Sequence, residues 1–437
     1  MKKNIIFAIA ILMQCGLLSG QTAVQTALAE DPVTGYACGI FRSWGNHTAL
    51  AYHVRDGKQL FSVIDSALGT VYSAVVPNQY TVRDFRVVGD TAYCCGSMNS
   101  TAMLAYFNIN EILAAPTVNF QVALITDLRM VTKIAAYRKR GTPYVGIAAI
   151  GEEVRHADSY DYLGFHMIWC NNFSGGLFAV TTKECDNSWD LVVPSEKLSD
   201  VVMTERYVVF VGIYTNTKTL CIRRGDKGGI FSTPLIDTVH RYAYHVDQIE
   251  SLPIAEPLGK DDLAVAIACE DVLGRQLAQI NLFDMSNMVM DNMQWMKISD
   301  GLKGSVNELV YMPNHRQLLV AAETDAGHQV IYTQPSATGT YLAKTLAPAT
   351  GDVICSMDRH NGSYYILSTL RHWMLQKMGA MPPDDTCIVE DHREVFMDEV
   401  SMDGPIYINK SLSSAYFFSQ ILQKTGFAIT VYCSKVL

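Results

Sequence analysis

The chain of 437 residues predicts an all-β fold, a β-propeller of three- to four-stranded antiparallel blades. Three observations predict it. A strand-rich unit recurs about seven times at intervals of roughly 46 to 63 residues. Each unit holds a short apolar run, a polar turn and a tyrosine- or leucine-led apolar strand. Helical periodicity is scarce along the whole sequence. Seven blades are the favoured count, with six and eight as alternatives.

The clearest unit is VRDFRVVGDTAYCCGSMNSTAMLAYFNI, residues 82–109. After its AYCCG strand, the matching strands are PYVGIAAI at 143–150, RYVVFVGI at 206–213 and DLAVAIAC at 262–269. QLLVAAE at 317–323, SYYILST at 363–369 and SAYFFSQ at 414–420 complete the series. These runs are rich in β-branched, aromatic and small apolar residues, the types that fit a pleated surface. Most follow an earlier apolar run, as at 85–88, 201–203 and 309–312. Gly89-Asp90, Pro313-Asn314 and Asn361-Gly362 supply the turn chemistry between the two runs. Third runs follow at 103–109, 219–222 and 329–333, which makes each unit a meander.

Residues 112–115 predict a single helical turn. The methionine-rich stretch 284–296 has Met285, Met288, Val289 and Met293 at near-helical spacing. It reads as gap-filling core packing. The strands within residues 36–76 have no matching early strand and are expected to complete the last blade, which begins near Ile406. The expectation is one closed domain over residues 30–437. Two unequal β-domains are the alternative, with residues 151–195 as either a decorated loop or the seam.

The first 29 residues read as a signal peptide. Lys2 and Lys3 form the positive region, residues 5–12 the apolar region, and Ala27-Leu28-Ala29 the small-residue cleavage site before Glu30. A cut after Gly20 is the second option. Cys15, with Leu12 three positions before it, raises a lipoprotein anchor, but Gln14 is not the small residue such processing prefers. The expected location is secreted, periplasmic or at the cell surface. No apolar run is long enough for a transmembrane helix.

Hydrophobic residues make up 49% and charged residues 18%, which excludes wholesale disorder. A net charge of -9 argues against nucleic acid as a partner, because phosphate contacts need a basic field. Of eleven cysteines, Cys94, Cys95, Cys221, Cys269, Cys355 and Cys433 lie in apolar runs and read as small buried side chains. Cys94 and Cys95 are adjacent, so on a strand they face opposite ways. Cys170 and Cys185 are the candidates for a local disulfide.

The 82–109 unit, with its Asp-Phe start, GDTAYCCG turn-strand and YFNI end, resembles repeats of uncharacterised secreted β-propeller proteins of the Bacteroidetes. The resemblance is close over this unit and degenerate over the others. It implies a propeller outside the cytoplasm and carries no activity, ligand or site residue.

Two constellations are candidate sites. An acidic residue stands near the start of the first strand in several units: Asp84, Asp200, Asp247 and Glu308. If these are equivalent around a central channel, their oxygens suit a hard cation such as calcium, or a cationic partner. The competing reading is that each carboxylate accepts nearby backbone N–H groups, and Lys133 at the comparable place in another unit favours it. The second constellation is Glu152, Glu153, Arg155, His156, Asp158, Tyr160, Asp161, Tyr162 and His166. Its tyrosines offer flat amphipathic faces to a glycan or peptide, and Tyr160, Tyr162, His156 and Asp158 are the expected ligand-binding residues.

Ser356-Met357-Asp358 is a loose match to the aspartate-box turn of sialidase-like propellers, and Arg224-Gly225-Asp226 reads as a hairpin turn. Metalloprotease, Walker, nucleophile-elbow and dinucleotide motifs are absent from the sequence, and no catalytic residue is assigned. The expectation is an extracytoplasmic binding or scaffold module for a protein or glycan. The alternative is a glycoside hydrolase, lyase or sialidase-like enzyme on the same scaffold. A structural subunit of a surface assembly is a third reading.

Overall fold

The computed structural model describes thirty-three strands between Val24 and Lys435, the connections 76–79, 89–90, 99–100, 109–120 and 126–129, and positions 141 and 206. Side chains are described at positions between 42 and 225. The strands form eight sheets. Seven are four-stranded antiparallel meanders in chain order, lying within residues 40–75, 80–125, 130–184, 196–236, 245–301, 304–346 and 353–394. In the eighth, Val400–Ser401 and Tyr407–Asn409 both pair with Ser414–Gln423, which pairs with Gly426–Lys435. The N-terminal strand Val24–Asp31 then pairs antiparallel with Gly426–Lys435 on its other side.

The sheets close into a ring through their first strands. Ile40–Trp44 touches Tyr80–Val88, which touches Met130–Arg138, and so on through Glu196–Met203, His245–Ala255, Gly304–Met312 and Val353–His360. Tyr407–Asn409 contacts both Val353–His360 and Ile40–Trp44 and completes the circle. The molecule is a β-propeller of eight blades, not the favoured seven. The strands within residues 40–75 form a blade of their own, and the last blade takes only Val24–Asp31 from the N-terminal side. Within the expected seam 151–195, the described residues belong to the later strands of the third blade, which end at Glu184, and 185–195 lie outside the described residues.

Blade 2 shows how the sequence builds a meander. Gly89 takes a φ of 62° at the first turn, where an L side chain is strained. Asn99 and Ser100 carry φ of 49° and 65° in the two-residue turn joining Thr91–Met98 to Thr101–Asn108. Positive φ at both central positions matches the right-handed strand twist. Ile109–Leu113 is a short 3-10 turn capped by the Asn108 side chain, close to the turn expected at 112–115. It is the one helical element among the described residues, none of which forms a helix long and apolar enough to cross a membrane. Gln294–Gly301 is strand, so the methionine-rich stretch ends in a strand; its Met285, Met288, Val289 and Met293 lie outside the described residues.

Core packing lies between blades, and strand alternation assigns each side chain to one side. Cys94 packs with Phe61, Phe85, Met103 and Phe107 between blades 1 and 2. Cys95 packs with Leu104, Val131, Ile134 and Ile147 between blades 2 and 3. The two thiols therefore face opposite ways, as their adjacency predicts. Phe61 anchors the first layer, its ring 5.2 Å from Phe85 and 4.9 Å from Phe107. Cys170 is a free thiol in the second layer, not half of a local disulfide, and burial pushes its pKa up to about 12. Cys185 lies outside the described residues.

Six of the eight first strands share one irregularity. Their register with the second strand slips after Val82, Val131, Leu198, Val246, Val306 and Ile354. Each slip inserts one unpaired residue, the definition of a β-bulge. The residue opposite the start of the bulge is always small: Gly96, Gly151, Gly212, Cys269, Ala322 and Ser368. The cause is visible in blades 2 and 4. A Cβ on Gly96 would collide with the Thr81 carbonyl oxygen, and one on Gly212 with that of Lys197. In these two blades the bulge drives the first-strand backbone against its neighbour and leaves room for glycine alone, while Cys269, Ala322 and Ser368 take the position in the later blades.

Candidate functional site

The bulge fixes what the candidate acidic residues can do. Asp84, Asp200 and Glu308 each follow directly on the unpaired bulge residue, as do Lys133, Gln248 and Ser356 in the other blades. Asp247 stands one position earlier and is itself the unpaired residue. Asp84, Asp200 and Glu308 are thus structural equivalents, and Asp247 is out of phase with them. Side chains at Asp247 and Glu308 lie outside those described.

Asp84 is the best defined of the set. Its side chain is 7% exposed, and its Oδ1 accepts from Arg86 Nη1 at 2.6 Å and Arg42 Nη2 at 3.1 Å. The same oxygen accepts the Phe85 backbone N–H at 2.8 Å. Oδ2 accepts the Ile134 backbone N–H at 3.4 Å. Arg42 also donates through Nε to the Phe85 carbonyl at 3.0 Å, and its guanidinium lies 5.5 Å from the Phe85 ring centroid. These donors come from blades 1, 2 and 3, so one buried carboxylate joins three inner strands. Charge-assisted bonds of this kind are the strong class of hydrogen bond.

Asp200 repeats part of the pattern, accepting the Val201 N–H at 2.8 Å as Asp84 accepts that of Phe85. Backbone acceptance, the competing sequence reading, describes these two residues. Among the described residues, no group of three or more histidine, cysteine or acidic side chains is placed to hold a metal ion. Two partners escaped the sequence reading. Arg86 stands two residues after Asp84 on the same strand, a spacing that puts both on one face and was available as a signal. Arg42 comes from another blade and leaves no local trace.

The second constellation sits on the longest hairpin described. Val145–Ala157 and Tyr160–Asn171 pair from Gly146↔Asn171 out to Ala157↔Tyr160. The first strand of the blade reaches only Glu152, and the fourth only His166. Five rungs, from Glu153↔Gly164 to Ala157↔Tyr160, therefore stand beyond the four-stranded part. At roughly 3.3 Å per residue that is a two-stranded ribbon about 16 Å long. His156, Tyr160 and Tyr162 are on it, His156 on one strand and both tyrosines on the other, with Tyr162 opposite Arg155 and His156 opposite Asp161. Asp158, at the tip, lies outside the described residues.

The base of the ribbon is polar and partly buried. His166 Nε2 meets Glu153 Oε2 at 2.6 Å. Burial pushes the Glu152 carboxyl above its ordinary range, against the lowering pull of Arg83, Arg129 and Lys197. The Glu152 backbone carbonyl accepts the Arg129 N–H at 2.8 Å, which ties the ribbon to the start of its own blade.

Two motifs find different places from those expected. Arg224-Gly225-Asp226 is the end of the strand Thr219–Asp226, paired with Tyr207–Tyr214, and not a hairpin turn. Arg224 stacks over Tyr207 at 4.8 Å, which accounts for its position. Asp358 is paired with Tyr365 inside the first strand of blade 7, so it does not form an aspartate-box turn.

No family model matches the chain. No curated protein matches it. A solved structure from a study of two prolyl endopeptidases, concerned with inter-domain dynamics in catalysis and specificity, aligns at 10% identity with a TM-score of 0.47. The alignment covers 93% of this chain and 54% of that one, so the chain spans about half the length of the peptidase. A likeness this loose transfers neither activity nor site.

Proposed function

We propose that the chain is an extracytoplasmic binding or scaffold propeller whose third-blade ribbon engages a protein or glycan ligand. The observation that carries this reading is the ribbon itself: five rungs standing clear of the blade and bearing His156, Tyr160 and Tyr162. Tyrosines give large contact area at small conformational cost, which suits recognition. The closed wheel supplies a rigid base for such a loop. The leader-like N-terminus and the resemblance to secreted Bacteroidetes propellers support a location outside the cytoplasm. Calcium at the acidic positions 84, 200, 247 and 308 is not part of this proposal, because Asp84 is held by Arg42 and Arg86 and Asp247 is out of register with the others.

The test uses the purified protein and a variant in which residues 154–163 are replaced by a two-residue Asn-Gly turn. Both are screened on a glycan array and against a panel of extracellular proteins. Binding by the parent and its loss in the variant, with the same melting temperature, supports the reading. Equal binding by both, or none by the parent, overturns the assignment to the ribbon. Turnover of an arrayed glycan replaces binding with the enzyme alternative.

A further inference from the structure

We infer that Val24–Asp31 belongs to the mature fold as the outer strand of the eighth blade, and that any leader is removed upstream of Val24 and not after Ala29. The second half of this inference rests on the export reading above; the first half does not.

Seven residue pairs join this strand to Gly426–Lys435, from Val24↔Cys433 to Asp31↔Phe427, with one irregularity between Ala27 and Ala29. A cut after Ala29 removes five of those partners, Val24, Gln25, Thr26, Ala27 and Ala29, and leaves Glu30 and Asp31. The remaining blade would end on Gly426–Lys435, whose sequence GFAITVYCSK has an apolar, β-favouring centre from Phe427 to Cys433 broken only by Thr430. An unpaired ladder of that length and composition is a template for intermolecular pairing. Every other blade has four strands. The eighth reaches that depth only with Val24–Asp31, because its first position is split between Val400–Ser401 and Tyr407–Asn409.

The leader composition is consistent with an earlier boundary. Residues 21–26, Gln-Thr-Ala-Val-Gln-Thr, hold four polar side chains in six and read as an outer strand better than as the end of an apolar leader core. Gly20 and Cys15, the two upstream candidates, lie outside the described residues.

Two measurements test the inference. Chains 21–437 and 30–437 are produced without a leader and compared by thermal melting and by light scattering. The longer chain is expected to melt several degrees higher and stay monodisperse. The shorter is expected to associate, and to regain stability when a synthetic peptide of residues 21–33 is added. Equal melting and equal dispersity overturn the closing role. The second measurement is the N-terminal residue of the protein recovered from its native host. A start between Cys15 and Val24 supports the inference, and a start at Glu30 overturns it. An intact Met1 keeps the closing strand and overturns the export reading alone.

Discussion

Blades 2 and 3 carry the same backbone device and opposite chemistry. Both inner strands bulge after a valine, and both face a glycine across the bulge. The next residue is a buried aspartate in blade 2 and an exposed lysine in blade 3. Blade 2 uses the position to gather arginines from two strands and a backbone N–H from its neighbour. Blade 3 leaves the position to solvent and instead extends its central hairpin past the sheet. The repeat thus preserves a backbone shape, and individual blades attach different side chains to it. A ring of equivalent carboxylates is not what the repeat encodes.

The glycines opposite the bulges give the largest expected effects. Gly96→Ala and Gly212→Ala each place a methyl group against a backbone carbonyl that cannot move without breaking the bulge. A loss of about 4 kcal/mol in each is expected by urea unfolding. Gly151→Ala meets only the ends of Leu128 and Ile168, which can rotate, so a loss of about 1 to 2 kcal/mol is expected. Equal losses at all three sites would show that the third bulge is as tight as the other two and undo this distinction.

Next come the residues after the bulge. Asp84→Ala strands two arginines and is expected to cost about 2 kcal/mol, a figure lowered because both guanidinium groups are about one-third solvent-exposed. Asp84→Asn keeps acceptors for the Phe85 and Ile134 N–H groups and is expected to lose less. Lys133→Ala, at the matching register, is expected to stay within about 0.5 kcal/mol of the parent. A large effect at Lys133 would undo the contrast between the two blades.

The smallest effect concerns Glu152. Its pKa is raised by burial in the folded state, so the folded chain holds its proton to higher pH than the unfolded chain. Stability from this group is therefore greatest at low pH and falls as pH rises through the folded value. Glu152→Gln removes that dependence. The melting temperatures of parent and variant are expected to coincide near pH 4, with the variant pulling ahead towards pH 7. A variant that falls behind at neutral pH would show that attraction to Arg83, Arg129 and Lys197 outweighs burial.

The fold class was legible because period-two strands and turn residues recur in step. Seven second strands were visible, at Tyr93 and its six counterparts. The eighth, Thr48–Arg55, was passed over because Ile40–Trp44 before it is short and lacks the bulge signature. The closing strand was hidden by its resemblance to a cleavage site, since Ala27-Leu28-Ala29 satisfies both patterns. Asp84, Asp200 and Glu308 share one register in the sequence, whereas Asp247 occupies the bulge itself, one position earlier, and an unpaired residue leaves no mark in the sequence pattern. The arginines around Asp84 were only half legible, because a contact between blades has no fixed distance along the chain.

The eighth blade sets the order in which this molecule can be finished. Val24–Asp31 leaves the ribosome roughly 400 residues before its partner Gly426–Lys435. Seven blades can assemble during synthesis, but the wheel stays an open arc until the final strand arrives. Loop closure over so long a separation makes this the slow, long-range step of folding. A nascent chain halted a few residues short would be left with a gap at the seam and an unsatisfied strand on either side of it.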